Sequence, residues 1–277
     1  MKTNLIYLTL MITFFCSCNS NKKQDRQVIP KPDNTLVGKW VRIGHTGPIS
    51  FDFKENGLVE GDFGNDQTID IVAKYKLKGD TITFIDREGK MCQDIGQYKV
   101  YQTEYYTSFD LIADDCGGRI KTTMGFWTKP NFKEFIKTLD NKISKSPNPE
   151  LYLNRARVFM ATGMTKKAKE DFDNYLLTDT LNSRVYVNRA GTRFPNDLSG
   201  VVSDCNKAIL LEPDNKNAYF LRGLARYELG EKEQGCETGY NNGYNSLLLV
   251  VKVRLTFCKF NLISLSENPS GFYATKS

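Results

Sequence analysis

Residues 149–182, PELYLNRARVFMATGMTKKAKEDFDNYLLTDTLN, align with 183–215, SRVYVNRAGTRFPNDLSGVVSDCNKAILLEPDN, and again with the stretch from 216, KNAYFLRGLARYELGEKEQGCETGYNNGY. Tyr152, Tyr186 and Tyr219 keep the phase, and the period is about 34 residues. Within each unit the apolar positions return at helical spacing, so each unit reads as two helices joined by a turn. Such a pair cannot bury its apolar face alone and must stack on the next. Small residues recur in phase with the repeat. These are Ala156, Ala190 and Gly223 in the first helices, Ala168 and Val201 in the second, and Ala208 further along. Gly163 and Gly230 end first helices and Pro213 closes a second one, while Phe132 to Ser144 reads as a leading helix that covers the first unit.

With these landmarks the segment 131–246 resembles the tetratricopeptide repeat family. The resemblance implies a groove lined by the first helices, which takes a peptide or a partner protein. Asn154 and Asn188 match the position from which peptide-binding members contact a bound segment, and Asn-Arg-Ala recurs at 154–156 and 188–190. The same triplet also reads as family consensus that serves packing and solubility. Helical spacing puts Leu153, Arg157 and Met160 beside Val187, Phe194, Phe220, Leu224 and Tyr227. The expected groove residues are therefore Asn154, Arg157, Asn188, Phe220, Leu224 and Tyr227. Residues 247–260, LLLVVKVRLTFCKF, break the pattern, being apolar and free of acids. The tail 247–277 reads equally as an unusual cap, a strand-like segment seeking a partner, or a diverged repeat, and as a cover it would lie over part of the groove.

Upstream, from Leu36 to Lys129, the period is two. Ile49, Phe51 and Phe53 alternate with Ser50, Asp52 and Lys54, and Ile69, Ile71, Ala73, Tyr75 and Leu77 alternate with mainly polar neighbours. Asn56-Gly57 and Gly79-Asp80 mark hairpin turns. Six further stretches (GKWVRI, LVEGDF, TITFI, QYKVY, SFDLIA and IKTTMGFW) bring the count to about eight short strands. Sequential strands with one dry face close into an antiparallel up-and-down barrel, which leaves no sticky edge.

Gly38-Lys39-Trp40 is similar to the Gly-x-Trp that opens the first strand of lipocalins, and FDFKENGLVEG resembles the second hairpin of lipocalin-like domains in bacterial lipoproteins. The resemblance implies that Trp40 plugs one end of the barrel with Arg119 or Lys129 over it, and that Trp127 approaches Trp40 if the barrel closes. The inward set, rich in Phe, Tyr and Ile, reads as a packed core, with a small apolar ligand as the alternative.

At the amino end, Lys2 precedes the apolar run Leu5 to Phe15 and Ser17 precedes Cys18, the layout of a secretory signal. Phe15-Cys16-Ser17-Cys18 resembles the lipobox of bacterial lipoproteins, with Phe15 in place of the usual Leu and Cys16 in place of a smaller residue. The resemblance implies removal of residues 1–17 and lipidation of Cys18. A plain secreted protein and an uncleaved anchor are the other readings, and the run is shorter than the ~20 residues that span a bilayer. Residues 18–34 are polar, carry Pro30 and Pro32, and read as a flexible linker. Five cysteines then remain, an odd number. The expected pairs are Cys92 with Cys116 and Cys236 with Cys258, leaving Cys205 reduced. A zinc site is the rival for the first pair, although the sequence has no CxxC and no histidine cluster.

Residues 35–130 hold 12 Lys+Arg against 14 Asp+Glu, and 131–277 hold 21 against 16. Neither half has a dense basic stripe, which disfavours a nucleic-acid partner. The single histidine, His45, lies in a glycine-flanked loop, and Asp114-Asp115 lacks the repeated oxygen ligands of a cation loop. No Ser-His-Asp, Cys-His or metal constellation is visible, so the expectation is a non-enzyme with no cofactor and no metal. The whole reads as α+β in two domains: a lipocalin-like β-barrel (35–130), then a helical repeat array (131–246). The expected role is that of a membrane-anchored envelope lipoprotein, facing periplasm or cell surface of a Gram-negative-type bacterium, that binds a protein or peptide through its repeats. The alternative is a carrier or sensor with a small apolar ligand in the barrel.

Overall fold

In the computed structural model, the described residues are 36–44, 47–85, 92 and 95–242. Eight antiparallel strands form a closed barrel in sequential order: β1 (Gly38–Gly44), β2 (Gly47–Phe53), β3 (Leu58–Asp62), β4 (Ile71–Lys78), β5 (Thr81–Ile85), β6 (Ile95–Gln102), β7 (Tyr106–Ala113) and β8 (Gly125–Thr128). The alternation read in the sequence is what buries one face. Ile49, Phe51 and Phe53 of β2 are almost fully buried, as are Val59, Ile82, Phe84, Tyr98, Phe109, Trp40 and Trp127. The β3–β4 register, Val59 opposite Ala73 and Gly61 opposite Ile71, keeps inward residues facing inward. Gly57 and Gly79 take φ of +79° and +62° at the two hairpin turns, where a Cβ would be strained.

The eighth strand differs from expectation. The stretch from Ile120 to Trp127 is not one strand: α1 (Gly117–Thr123) occupies its first half and β8 begins at Gly125. Residues 117, 119, 120 and 123 of α1 are buried, a helical rather than an alternating set. Gly125, the first residue of β8, takes φ +109°. The barrel closes through a single β1–β8 register pair, Val41 with Thr128.

Seven helices follow among the described residues: α2 (Phe132–Lys145), α3 (Pro149–Ala161), α4 (Thr165–Leu176), α5 (Ser183–Arg193), α6 (Leu198–Leu211), α7 (Lys216–Glu228) and α8 (Lys232–Asn242). Short polar residues start them. Asn148 caps α3 through Glu150 N with Pro149 in the first turn, Asp197 caps α6 through Gly200 N, and Asn215 caps α7 through Ala218 N. Gly163 and Gly230 follow α3 and α7 at φ +73° and +92°, ending first helices where the sequence placed them. The small residues Ala156, Ala168, Ala190, Val201 and Ala208 are fully buried in one continuous core with Phe159, Phe172 and Tyr175. No described helix is long and apolar enough to cross a membrane.

Barrel and helices pack together within one compact unit. Tyr105 and Tyr106, at the β6–β7 turn, form an apolar cluster with Leu139 of α2 and Val158 of α3, flanked by Phe126, Phe132, Phe135 and Leu151. A polar layer surrounds it. Lys142 donates to Tyr105 Oη at 2.7 Å, Arg157 donates to Tyr106 Oη, and Arg184 of α5 reaches Asp110 of β7 and covers the Tyr101 ring at 4.4 Å.

Candidate functional site

The candidate site is the face formed by the first helices, α3, α5 and α7. Asn154 and Asn188 stand at the same place in successive first helices, both half-buried. Among the described residues neither side chain makes a hydrogen bond, so each keeps a donor pair and an acceptor for something else. Phe220, Leu224 and Tyr227 are half-buried on α7. The other expected lining residues go elsewhere. Leu153 and Val187 are 3% and 9% exposed, inside the repeat core. Arg157 is not free for a partner: its guanidinium lies 5.0 Å from the Tyr106 ring centre and bonds the Tyr106 hydroxyl. The barrel therefore covers the first-repeat end of this face.

The second residue of the Asn-Arg-Ala triplet has a clear part. Arg155 grips Asp171 of α4 with two bonds of 2.8 and 2.7 Å and reaches back to Asp140 of α2 at 2.6 Å. Arg189 repeats the arrangement, gripping Asp204 of α6 at 2.9 and 2.5 Å and reaching back to Asp173 of α4 at 2.8 Å. Each arginine thus ties its own helix pair together and pins it to the preceding one, with the planar fork matched to a carboxylate. This ladder escaped the sequence reading, although Asp171 and Asp204 recur at almost the repeat period.

In the barrel, Trp40 and Trp127 are both buried at the seam, but no ring contact joins them among the described residues. Phe51 lies between: it is the register partner of Trp40 and stacks on Trp127 at 4.6 Å. Trp40 Nε1 donates to Leu36 O at 2.7 Å, and Lys129 Nζ sits 3.8 Å from the Trp40 ring. Lys129, not Arg119, is the cation over Trp40. Arg119 instead binds Asp114 at 2.6 and 2.7 Å, and Asp114 also accepts from Tyr98 Oη. Burial and the Asp114 carboxylate hold the Tyr98 phenol well above its usual range. Arg42 lies over Trp127 and bonds Met124 O, and burial brings its guanidinium down to about 10. Rings line the interior, with Phe53 in contact with Tyr75, Phe84 and Phe109.

A disulfide joins Cys92 to Cys116, with Cα atoms 5.6 Å apart, inside the usual span of such bonds. Cys205 is a free thiol, fully buried. Asp114 is committed to Arg119, Tyr98 and Cys116 N, and among the described residues no cluster of His, Cys, Asp and Glu could hold a metal ion. Cys18, Cys258, His45, the linker and the tail 247–277 lie outside the described residues, and the Cys236–Cys258 pairing with them.

No family model matches the sequence, and no curated protein does. Among solved structures, the chain is similar over 59% of its length to 95% of a MamA protein, with 19% identity and a TM-score of 0.41. It is also similar over 41% of its length to 97% of the second TPR of Spaghetti (RPAP3), solved with an HSP90 peptide, with 24% identity and a TM-score of 0.33. Over 48% it is similar to 89% of the Sgt2 TPR domain from Aspergillus fumigatus, with 20% identity and a TM-score of 0.34.

Proposed function

We propose that this chain is a non-catalytic interaction component of the bacterial envelope, tethered through lipidated Cys18 and the linker 18–34. In this reading the barrel (35–130) supports a repeat array (131–246) that holds an extended segment of a partner protein along α5 and α7. The observation that carries it is Asn188, half-buried on the face shared by the first helices, with a side chain that bonds nothing among the described residues. Asn188 would bond the backbone of the segment. Phe220, Leu224 and Tyr227 would anchor its side chains, as aromatic anchors do at interfaces. Asn154 would extend the site toward the barrel.

A photo-crosslinking residue placed at 188 or 224 in the full chain tests this in envelope preparations. The expected result is crosslinking to a protein at both positions, lost with Phe220→Ala and retained with the exposed-surface change Lys166→Gln. Crosslinks to lipid alone, or none at either position while a probe at Ile112 on the barrel captures a protein, would move the interaction to the barrel. Membrane fractionation of Cys18→Ser tests the anchor separately: loss of the acyl label and release to soluble fractions are expected, since stable anchoring needs more than one chain.

A further inference from the structure

The arginine ladder changes at its third rung. Arg222 of α7 stands where Arg155 and Arg189 stand in α3 and α5, and Arg226 stands where Arg193 does. Asp204 is the shared partner in the second repeat: Arg189 grips it with two bonds and Arg193 Nε lies 3.0 Å from it. One repeat on, the residue in that place is Thr238, buried in α8. Arg226 Nη1 is 3.4 Å from the Thr238 hydroxyl. Arg222 reaches back to Asn206 Oδ1 at 2.7 Å, where Arg189 reaches an aspartate.

Arg226 thus meets a hydroxyl where Arg193 meets a carboxylate, and the Arg222 charge lies one helical turn away on the same helix. Arg222 Nε and Arg226 Nε are both sealed from solvent without a hydrogen-bond acceptor among the described residues. The corresponding edge of Arg189 is the one that holds Asp204. Glu231, half exposed, pairs with Arg226 at 3.7 Å from Nε. Burial, with the neighbouring Arg226 charge behind it, lowers Arg222 from its ordinary value. Two partly buried like charges repel each other, and an anion relieves both the repulsion and the unmet donors.

We infer that the Arg222–Arg226–Thr238 cluster between α7 and α8 binds a small oxyanion from solution, a carboxylate or a phosphate-like group, in the part that Asp204 plays in the second repeat. The two guanidinium edges supply the donors and the Thr238 hydroxyl a further one. Binding orders α7 against α8, and α7 is the helix that carries Phe220, Leu224 and Tyr227. The inference rests on the ladder and holds whether or not the groove takes a partner segment.

The test is thermal unfolding of the full chain in inorganic phosphate and in acetate, each against chloride at matched pH and ionic strength. Thr238→Asp and Arg222→Gln/Arg226→Gln are measured alongside. Phosphate strengthens most folded states by exclusion from their surface, so the quantity read is the wild-type increment in excess of the variants'. At ten times its Kd, a bound anion is expected to add about 3 °C or more. Thr238→Asp should raise the midpoint in chloride and lose the excess, because the chain then carries its own carboxylate. Line broadening of the phosphate phosphorus signal by wild type, and its absence with Thr238→Asp, reads binding without reference to stability. Equal increments in wild type and both variants overturn the site. So does a Thr238→Asp midpoint in chloride no higher than wild type with an unchanged circular dichroism spectrum, which would mean that the chain itself already supplies the counter-charge.

Discussion

Cys205 sits fully buried in α6 beside Asp204, and burial, reinforced by that carboxylate, pushes its thiol up to about 12. In the unfolded chain a thiol titrates near ~8.5, so folding favours the protonated form. The contribution is complete below that value and is lost as pH rises from there toward the folded value. Stability should accordingly fall between about pH 9 and 12, and Cys205→Ala should show a flatter decline over that window in urea titrations. Native Cys205 should also resist alkylation at pH 8 until the chain unfolds. At the same scale, Trp127 is fully buried with Phe51 and Phe109 against its ring, and Trp127→Ala should cost about 3–5 kcal/mol in denaturant unfolding. Which aromatic residues point inward was legible, since alternation alone assigns Phe51 and Phe53 to one face. Their neighbours were not: Phe51 separates Trp40 from Trp127 because the seam register, which no local pattern carries, decides who stands opposite whom.

For the elements, the ladder of buried pairs gives the sharpest expectation. Asp171 is almost wholly buried against Arg155, so Arg155→Met leaves a carboxylate uncompensated in the core and should cost about 3–5 kcal/mol. Adding Asp171→Leu should recover most of that loss, and a double-mutant cycle by chemical denaturation checks it. A recovery absent from the double variant would show that the arginine acts mainly through Asp140. The Cys92–Cys116 bond closes a loop with a separation of 24 residues, for which chain entropy predicts about 3.5 kcal/mol. Cys92→Ser/Cys116→Ser should lose a comparable amount, and peptide mapping without reductant should recover the two cysteines in one linked peptide. Helix ends were readable where chemistry is local, as at Gly163 and Gly230 with their positive φ. The run Ile120 to Trp127 was not, because β-branched and aromatic residues there suit a strand until tertiary packing commits Ile120 and Thr123 to one buried helical face.

For the molecule as a whole, the barrel, the leading helix and the first repeat share Tyr105, Tyr106, Leu139 and Val158, all nearly excluded from water. An apolar junction of this kind couples the stability of the parts it joins. Calorimetry of the wild type should therefore show the barrel and the first repeat melting together, whereas Tyr106→Ala/Val158→Asp should separate them into two transitions. This junction had no signature in the sequence. Arg157 reads as a groove residue from its helical position, and only the placement of β7 shows that its partner is a tyrosine of the same chain.

The seam between β1 and β8, one register pair wide, has a further consequence for the order of folding. Strands two to seven can zip up as successive hairpins, each requiring only its immediate neighbour. The last closure must wait for β8 and gains support from α3, which packs on both β8 and β1. Distant pairings of this kind set the pace of folding. A nascent chain that has delivered its strands but not yet its first repeat thus holds an unlatched sheet, and the helix that latches it is also the first of the array.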